Sequence, residues 1–142
     1  MFYTTLNVIL EEESHVKIKP SNLSLAIIWL NRALQFIRAF TSGLSREYRN
    51  KVAEENLRTT ILQAYEGTLR PYHGAMTQFL FSNIARLVPC RKSFHRALMM
   101  DKTASVDMVI SDIDLYLPTF SDTLDLLEEL LNEFELTSAE VV

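Results

Sequence analysis

Trp29, Arg32 and Phe36 are spaced i, i+3 and i+7 and share one helical face with Leu25. An arginine among apolar neighbours is costly unless it is paired. Two chemistries fit the set. In the plainer one, Arg32 meets a buried carboxylate and Trp29 is core. In the other, the flat indole stacks on the less polar face of a sugar while the guanidinium donates to hydroxyls. His73 poses the same choice: a core imidazole, or a hydrogen-bond partner for a buried ligand amide. Cys90 and His95 lie five residues apart, without a third group to orient them as a nucleophile and base. His15, His73 and His95 are scattered rather than set at metal-ligand spacing. There is no glycine-rich phosphate loop and no nucleophile elbow. Asp112 with Asp114, and Glu128 with Glu129, do not converge on one site of a helix and read as surface charge. No catalytic, metal or cofactor role is expected.

The elements that position these residues read as helices. Only three glycines and four prolines interrupt the 142 residues, so long elements are expected and no strand alternation is visible. Thr4 to Ser14 reads as a helix end, without a cap before it. Pro20 opens a second helix at a position where its missing N–H costs nothing. Ser24, Asn31, Gln35 and Arg38 form one polar stripe on it, and it is expected to end near Thr41–Ser42–Gly43. Leu44 to Asn50 reads as a polar connector. Lys51 to Arg70 is a third helix, with Leu57, Ile61, Tyr65 and Leu69 on one face. Tyr72 to Val88 is a fourth, with His73, Thr77, Phe81 and Ile84 aligned. Phe94 to Met99 is a short helix. Ser105 to Phe134 is a long amphipathic helix, kinked or divided at Pro118.

Apolar residues make up 48% of the chain, enough for one packed all-α domain over residues 1–142. The lone Cys90 permits no internal disulfide and fits a reducing compartment. No basic start leads into an apolar run, and the longest apolar run, Leu25 to Leu30, is too short for a bilayer. A cytosolic location, peripheral at membranes, is expected. Residues 1–100 carry 13 Lys or Arg against 7 acids, whereas residues 101–142 carry Lys102 alone against 11. The acidic part reads as a solvated helix face. The basic part suits an anionic membrane surface. It is too sparse for nucleic acid, so no nucleic-acid partner is expected.

The stretch Leu25-Ala-Ile-Ile-Trp-Leu-Asn-Arg-Ala-Leu-Gln-Phe-Ile-Arg-Ala-Phe40 resembles the headgroup-binding helix of the glycolipid transfer protein family. Ala64-Tyr-Glu-Gly-Thr-Leu-Arg-Pro-Tyr-His-Gly74 is similar to that family's second motif. The segment around Pro89 and Phe94 fits its following turn and short helix. Asp114-Leu-Tyr-Leu-Pro-Thr-Phe120, with Ala139-Glu-Val-Val142, is most similar to the four-phosphate-adaptor type. The resemblance implies two layers of helices with lipid chains between them, and non-catalytic transfer of glycosphingolipids between membranes. It implies that Trp29 stacks on the first sugar, His73 bonds the ceramide amide, Leu25 lies beside the headgroup and Arg32 shapes the site. Phe36, Phe40, Phe81, Ile84 and Phe94 would line the pocket for the chains. The implied partners are a glucosyl- or galactosylceramide-class lipid and a transient membrane surface, with no cofactor.

Two departures qualify what the resemblance implies. It covers this whole chain but only roughly the last two-thirds of the family's domain. The family's first helices, with an Asp, an Asn and a Lys that bond the sugar and amide, have no counterpart here. Each lost charged hydrogen bond is expected to weaken headgroup binding by about 1.5–3 kcal/mol. Apolar faces that those helices cover are expected to be bare. The second departure is Ala75, where the family usually has a membrane-docking Trp. Met76, Phe79, Arg91, Lys92 and Arg96 are the expected substitutes. Two alternatives stay open. One is ceramide 1-phosphate transfer, disfavoured because such carriers place a cation where this chain has Trp29. The other is a helical interaction module that has lost transfer.

Overall fold

The computed structural model describes residues 7–11, 22–99 and 103–136. The expected first helix is helical over residues 7–11, and its flanks and the start at Pro20 lie outside the described residues. Five longer helices follow: α1 (Asn22–Arg49), α2 (Arg58–Gly67), α3 (Ala75–Ile84), α4 (Arg91–Leu98) and α5 (Val106–Glu133). A 3₁₀ turn, Arg70–Tyr72, joins α2 to α3. Among the described residues there is no strand.

α1 is the central element, and its 3.6-residue period gives it three working faces. One face carries the expected polar stripe, extended to Ser45, Tyr48 and Arg49, and it lies antiparallel against the acids of α5. Gln35 donates to Glu128 at 3.5 Å, Arg38 to Asp125 at 2.6 Å, and Tyr48 to Asp107 at 2.8 Å. Asp114 accepts from Ser45 and from Arg49 Nη2, the latter at 2.6 Å. The Ser45 hydroxyl, then Arg49, hold the Asp114 carboxyl below its ordinary range. Part of the acidic charge read as solvated is thus the complement of this stripe. The second face carries Trp29, Arg32, Phe36 and Phe40 toward the residues that follow α2. The third carries Leu23, Leu30 and Ile37, which stand 48%, 55% and 43% exposed. The expectation of a bare apolar face falls on these three.

α1 is longer than the sequence suggested. Leu44 is fully buried, and Ser45, Tyr48 and Arg49 bond α5, so the expected connector is helix. The stop comes at Lys51, in the left-handed region with φ 53°. There Val52 N–H donates to the Glu47 carbonyl and Lys51 N–H to that of Tyr48, the double bond of a Schellman cap. By length and composition α1 is long and apolar enough to cross a bilayer. In the fold, its polar stripe instead meets carboxylates of α5.

Gly43, the expected stop, is a contact point. A Cβ there would lie 2.8 Å from Thr60 Cγ2 on α2. Thr60 is β-branched, and its hydroxyl is tied to both Glu47 carboxylate oxygens at 2.9 and 2.8 Å, so it yields poorly. Gly43→Ala gains about 1 kcal/mol of helix propensity. Overpacking costs about 1–3 kcal/mol, so a net loss is expected in urea unfolding. Gly67→Ala, with open space around its Cβ, should not lose stability. Equal effects of the two would remove the close contact as the reason for glycine.

α2 starts at Arg58 rather than Lys51 because the preceding backbone serves α4. The carbonyls of Glu54 and Glu55 accept from Arg91 Nε at 3.0 Å and Arg91 N–H at 2.7 Å. Asn56 Oδ1, one residue ahead of the N-cap Leu57, accepts the Arg58 N–H at 2.9 Å in a local turn. The Ser105 hydroxyl caps α5, accepting from Met108 N–H at 3.2 Å. α5 runs unbroken through Pro118, so it is not divided there. Leu10, Ile28, Leu130, Leu131 and Leu136 form a buried cluster that joins residues 7–11 to α1 and α5.

Candidate functional site

The site is built where α1 faces the 3₁₀ turn. Pro71 sits in that turn, and α3 then begins from an extended Gly74. The Gln78 side chain reaches back to the His73 carbonyl at 2.7 Å and fixes the peptide carrying the imidazole. His73 thereby lies beside Trp29, with ring centroids 5.9 Å apart and planes 21° from parallel. The Arg32 guanidinium lies over both Trp29 and Tyr72, 4.7 and 3.5 Å from their centroids. It is only 7% exposed.

His73 is held by the Tyr65 hydroxyl, 2.9 Å from Nδ1. Burial, then the Arg32 charge, push its pKa below the ordinary value. Burial pushes the Tyr65 phenol up, so it keeps its proton. In the tautomer in which the phenol donates to Nδ1, the neutral imidazole carries its own N–H on Nε2. Such a group suits an amide carbonyl.

From Tyr65 the aromatic contacts continue without a gap. Tyr65 stacks on Phe81 at 3.8 Å. Phe81 meets Phe36 edge-on at 5.9 Å, Phe36 stacks with Phe40 at 6.3 Å, and Phe40 meets Phe94 edge-on at 5.5 Å. Trp29, His73, Phe81, Phe36, Phe40 and Phe94 therefore fall on one path. Leu25 is half-buried on the same face of α1. Ile84 does not join the path: it is 62% exposed at the end of α3. It stands instead with Met76, Phe79, Leu80 and Leu87, which are 77%, 66%, 51% and 83% exposed. Arg91, expected among the surface cations, is 7% exposed and pinned to Glu47.

Beside Arg32 a polar groove of about 450 Å³ runs between α1, α2 and α5, lined in part by Asn31, Gln35, Thr68, Tyr72 and Glu128. The buried Asn31 Oδ1 has no hydrogen-bond partner among the described residues. Sequence reasoning missed Tyr65, Tyr72, Asn31 and Gln78 as site residues. Tyr65 and Tyr72 lie inside the quoted Ala64–Gly74 stretch, which was their available signal.

The all-α arrangement that carries these groups is that of GLTP-fold lipid-transfer proteins. A solved structure on how FAPP2 selects simple glycosphingolipids using the GLTP fold superimposes with a TM-score of 0.76. It is 30% identical and covers 95% of this chain and 64% of that one. The apo form of mouse ceramide-1-phosphate transfer protein shares the fold, with a TM-score of 0.72, 24% identity and coverage of 86% and 56%. Pleckstrin homology domain-containing family A member 8 of Homo sapiens is 31% identical over 147 aligned residues. That match takes in 99% of this chain and 27% of the relative, so the chain spans about a quarter of that relative's length. A family model described as glycolipid transfer protein matches residues 2–100. The chain belongs to the glycolipid transfer protein family.

Proposed function

We propose that this chain binds a glycosphingolipid of the glucosyl- or galactosylceramide class and moves it between membranes, without catalysis. The observation that carries this reading is the unbroken aromatic path from Trp29 to Phe94, with His73 near its start. In this reading the sugar stacks on Trp29 and reaches the polar groove beside Arg32. His73 Nε2–H donates to the ceramide amide carbonyl. The acyl and sphingoid chains follow Phe36, Phe40, Phe81 and Phe94. Because these rings touch one another, the chains enter by parting ring pairs. Met76, Phe79, Leu80, Ile84 and Leu87 form an exposed apolar surface that suits transient insertion into a bilayer. The corresponding location is the cytosol, at membrane surfaces.

Ceramide 1-phosphate is the second reading, and Arg32 is what favours it, as a cation at the same mouth. Trp29 opposes it by occupying the platform with an aromatic ring. Trp29 is the only tryptophan, so its emission reports the site directly. Vesicles of phosphatidylcholine with glucosylceramide should change that emission, whereas phosphatidylcholine alone should not. No glycolipid-specific change in a folded chain would sink the proposal. A response to ceramide 1-phosphate alone would select the second reading.

A further inference from the structure

Tyr72, Arg32 and Trp29 form a three-layer stack. The Arg32 guanidinium lies 3.5 Å from the Tyr72 ring centroid and 4.7 Å from that of Trp29, and Arg32 is 7% exposed. The tighter contact is with Tyr72, a residue that the glycolipid reading leaves without a role. Trp29 is itself only half-buried, so close packing does not fix its plane on every side. A guanidinium can back such a ring only where its own plane is held, because an arginine stem has many rotamers. Tyr72 is well placed to hold it. Pro71 fixes one backbone torsion in the 3₁₀ turn that carries the ring. The Tyr72 N–H donates to the Leu69 carbonyl at 3.0 Å, and the His73 N–H to that of Arg70 at 3.2 Å. The Gln78 amide donates to the Arg70 and His73 carbonyls, at 3.3 and 2.7 Å, and so spans the turn. The Tyr72 ring therefore stands on backbone that is tied on both sides.

We propose that Tyr72 is a positioning residue for sugar selection: through the Arg32 guanidinium it sets the plane of the Trp29 platform. The role of Trp29 is taken from the glycolipid reading, whereas the positioning itself is testable without lipid. Arg32 acts here as a flat plate as well as a charge. Tyr72 and His73 are consecutive, so one turn sets both the sugar platform and the imidazole stacked beside it. The spacing between the sugar and amide contacts is then a property of that turn. A ceramide without a sugar meets the His73 side of the arrangement and not the Tyr72 side.

The test uses the 142-residue chain and three variants. Tyr72→Leu removes the aromatic face, Tyr72→Phe keeps it without the hydroxyl, and Arg32→Lys keeps the charge without the plate. Trp29 is the only tryptophan, so its near-UV circular dichroism band reports how firmly the indole is held in lipid-free protein. Tyr72→Leu and Arg32→Lys should weaken that band at unchanged far-UV signal, and Tyr72→Phe should keep it. Binding is then compared on phosphatidylcholine vesicles that carry glucosylceramide or ceramide. Tyr72→Leu should lose about ten-fold or more of the preference for glucosylceramide. Binding of ceramide itself should hardly change, which a general loss of structure would not allow. A full tryptophan band in Tyr72→Leu, or in Arg32→Lys should Tyr72→Leu not fold, overturns the proposal. So does an equal loss for both lipids, or a Tyr72→Phe as impaired as Tyr72→Leu. Wild-type protein without a glucosylceramide preference would sink the glycolipid reading instead, and the tryptophan band would still decide whether Tyr72 holds the platform.

Discussion

Glu47→Ala is expected to lower the unfolding free energy by about 3–5 kcal/mol, the cost of breaking one half of a buried ion pair. Glu47 Oε2 lies 2.5 Å from Arg91 Nη2, with side chains 15% and 9% exposed. Its two oxygens also accept from Thr60, so one carboxylate ties α1 to α2 and α4. Removing it strands a desolvated guanidinium that cannot turn to water, because the Glu54 carbonyl still holds its Nε. A domain of this size is stable by only about 5–15 kcal/mol, so the loss is a large share of the whole. Arg38→Ala breaks an ion pair of similar length, 2.6 Å, but 30% and 60% exposed. It should cost no more than about 1 kcal/mol. Urea unfolding of both variants decides the matter. Equal losses would show that burial adds nothing to the Glu47 bridge.

Trp29→Ala should abolish glycolipid transfer while leaving helix content nearly intact. Truncating an aromatic anchor at a binding centre removes about 2 kcal/mol or more, roughly a 30-fold loss in affinity. Here the loss is compounded, because the indole is also the surface against which Arg32 and His73 are set. Trp29→Phe keeps a ring at the same place and should retain part of the activity. The measurement is transfer of a fluorescent glucosylceramide between vesicles, with circular dichroism as the control. Full transfer by Trp29→Ala would mean that the sugar platform lies elsewhere.

Periodicity was a good guide to which residues share a face of one helix. Trp29, Arg32 and Phe36 do point together, and the polar stripe of Ser24, Asn31, Gln35 and Arg38 is a real face. It was a poor guide to where helices stop. Thr41–Ser42–Gly43 looks like a terminator, yet Gly43 is there for the approach of Thr60, and the actual stop is a left-handed lysine. Pro118 likewise looked like a break, and α5 absorbs it at an exposed position. Contacts between helices were out of reach. Nothing local says that Tyr65 would hold His73, that Asp114 and Asp125 would face α1, or that Arg91 would turn inward to Glu47. Ile84 matched the face of His73 and Phe81 by spacing. It falls outside the path because α3 ends there and leaves it exposed.

The three faces of α1 carry a consequence for its genetics. Each residue advances the helix by about 100°. Substitutions on one face leave the other two in place, so their cost is confined to the contacts of that face. An in-frame codon gained or lost near its middle cannot be absorbed in that way. It would rotate everything downstream, turning Phe36 and Phe40 away from Phe81 and Phe94 while Arg38, Ser45 and Arg49 lost their carboxylates on α5. A substitution in α1 is therefore felt on one face, and a change of length on all three.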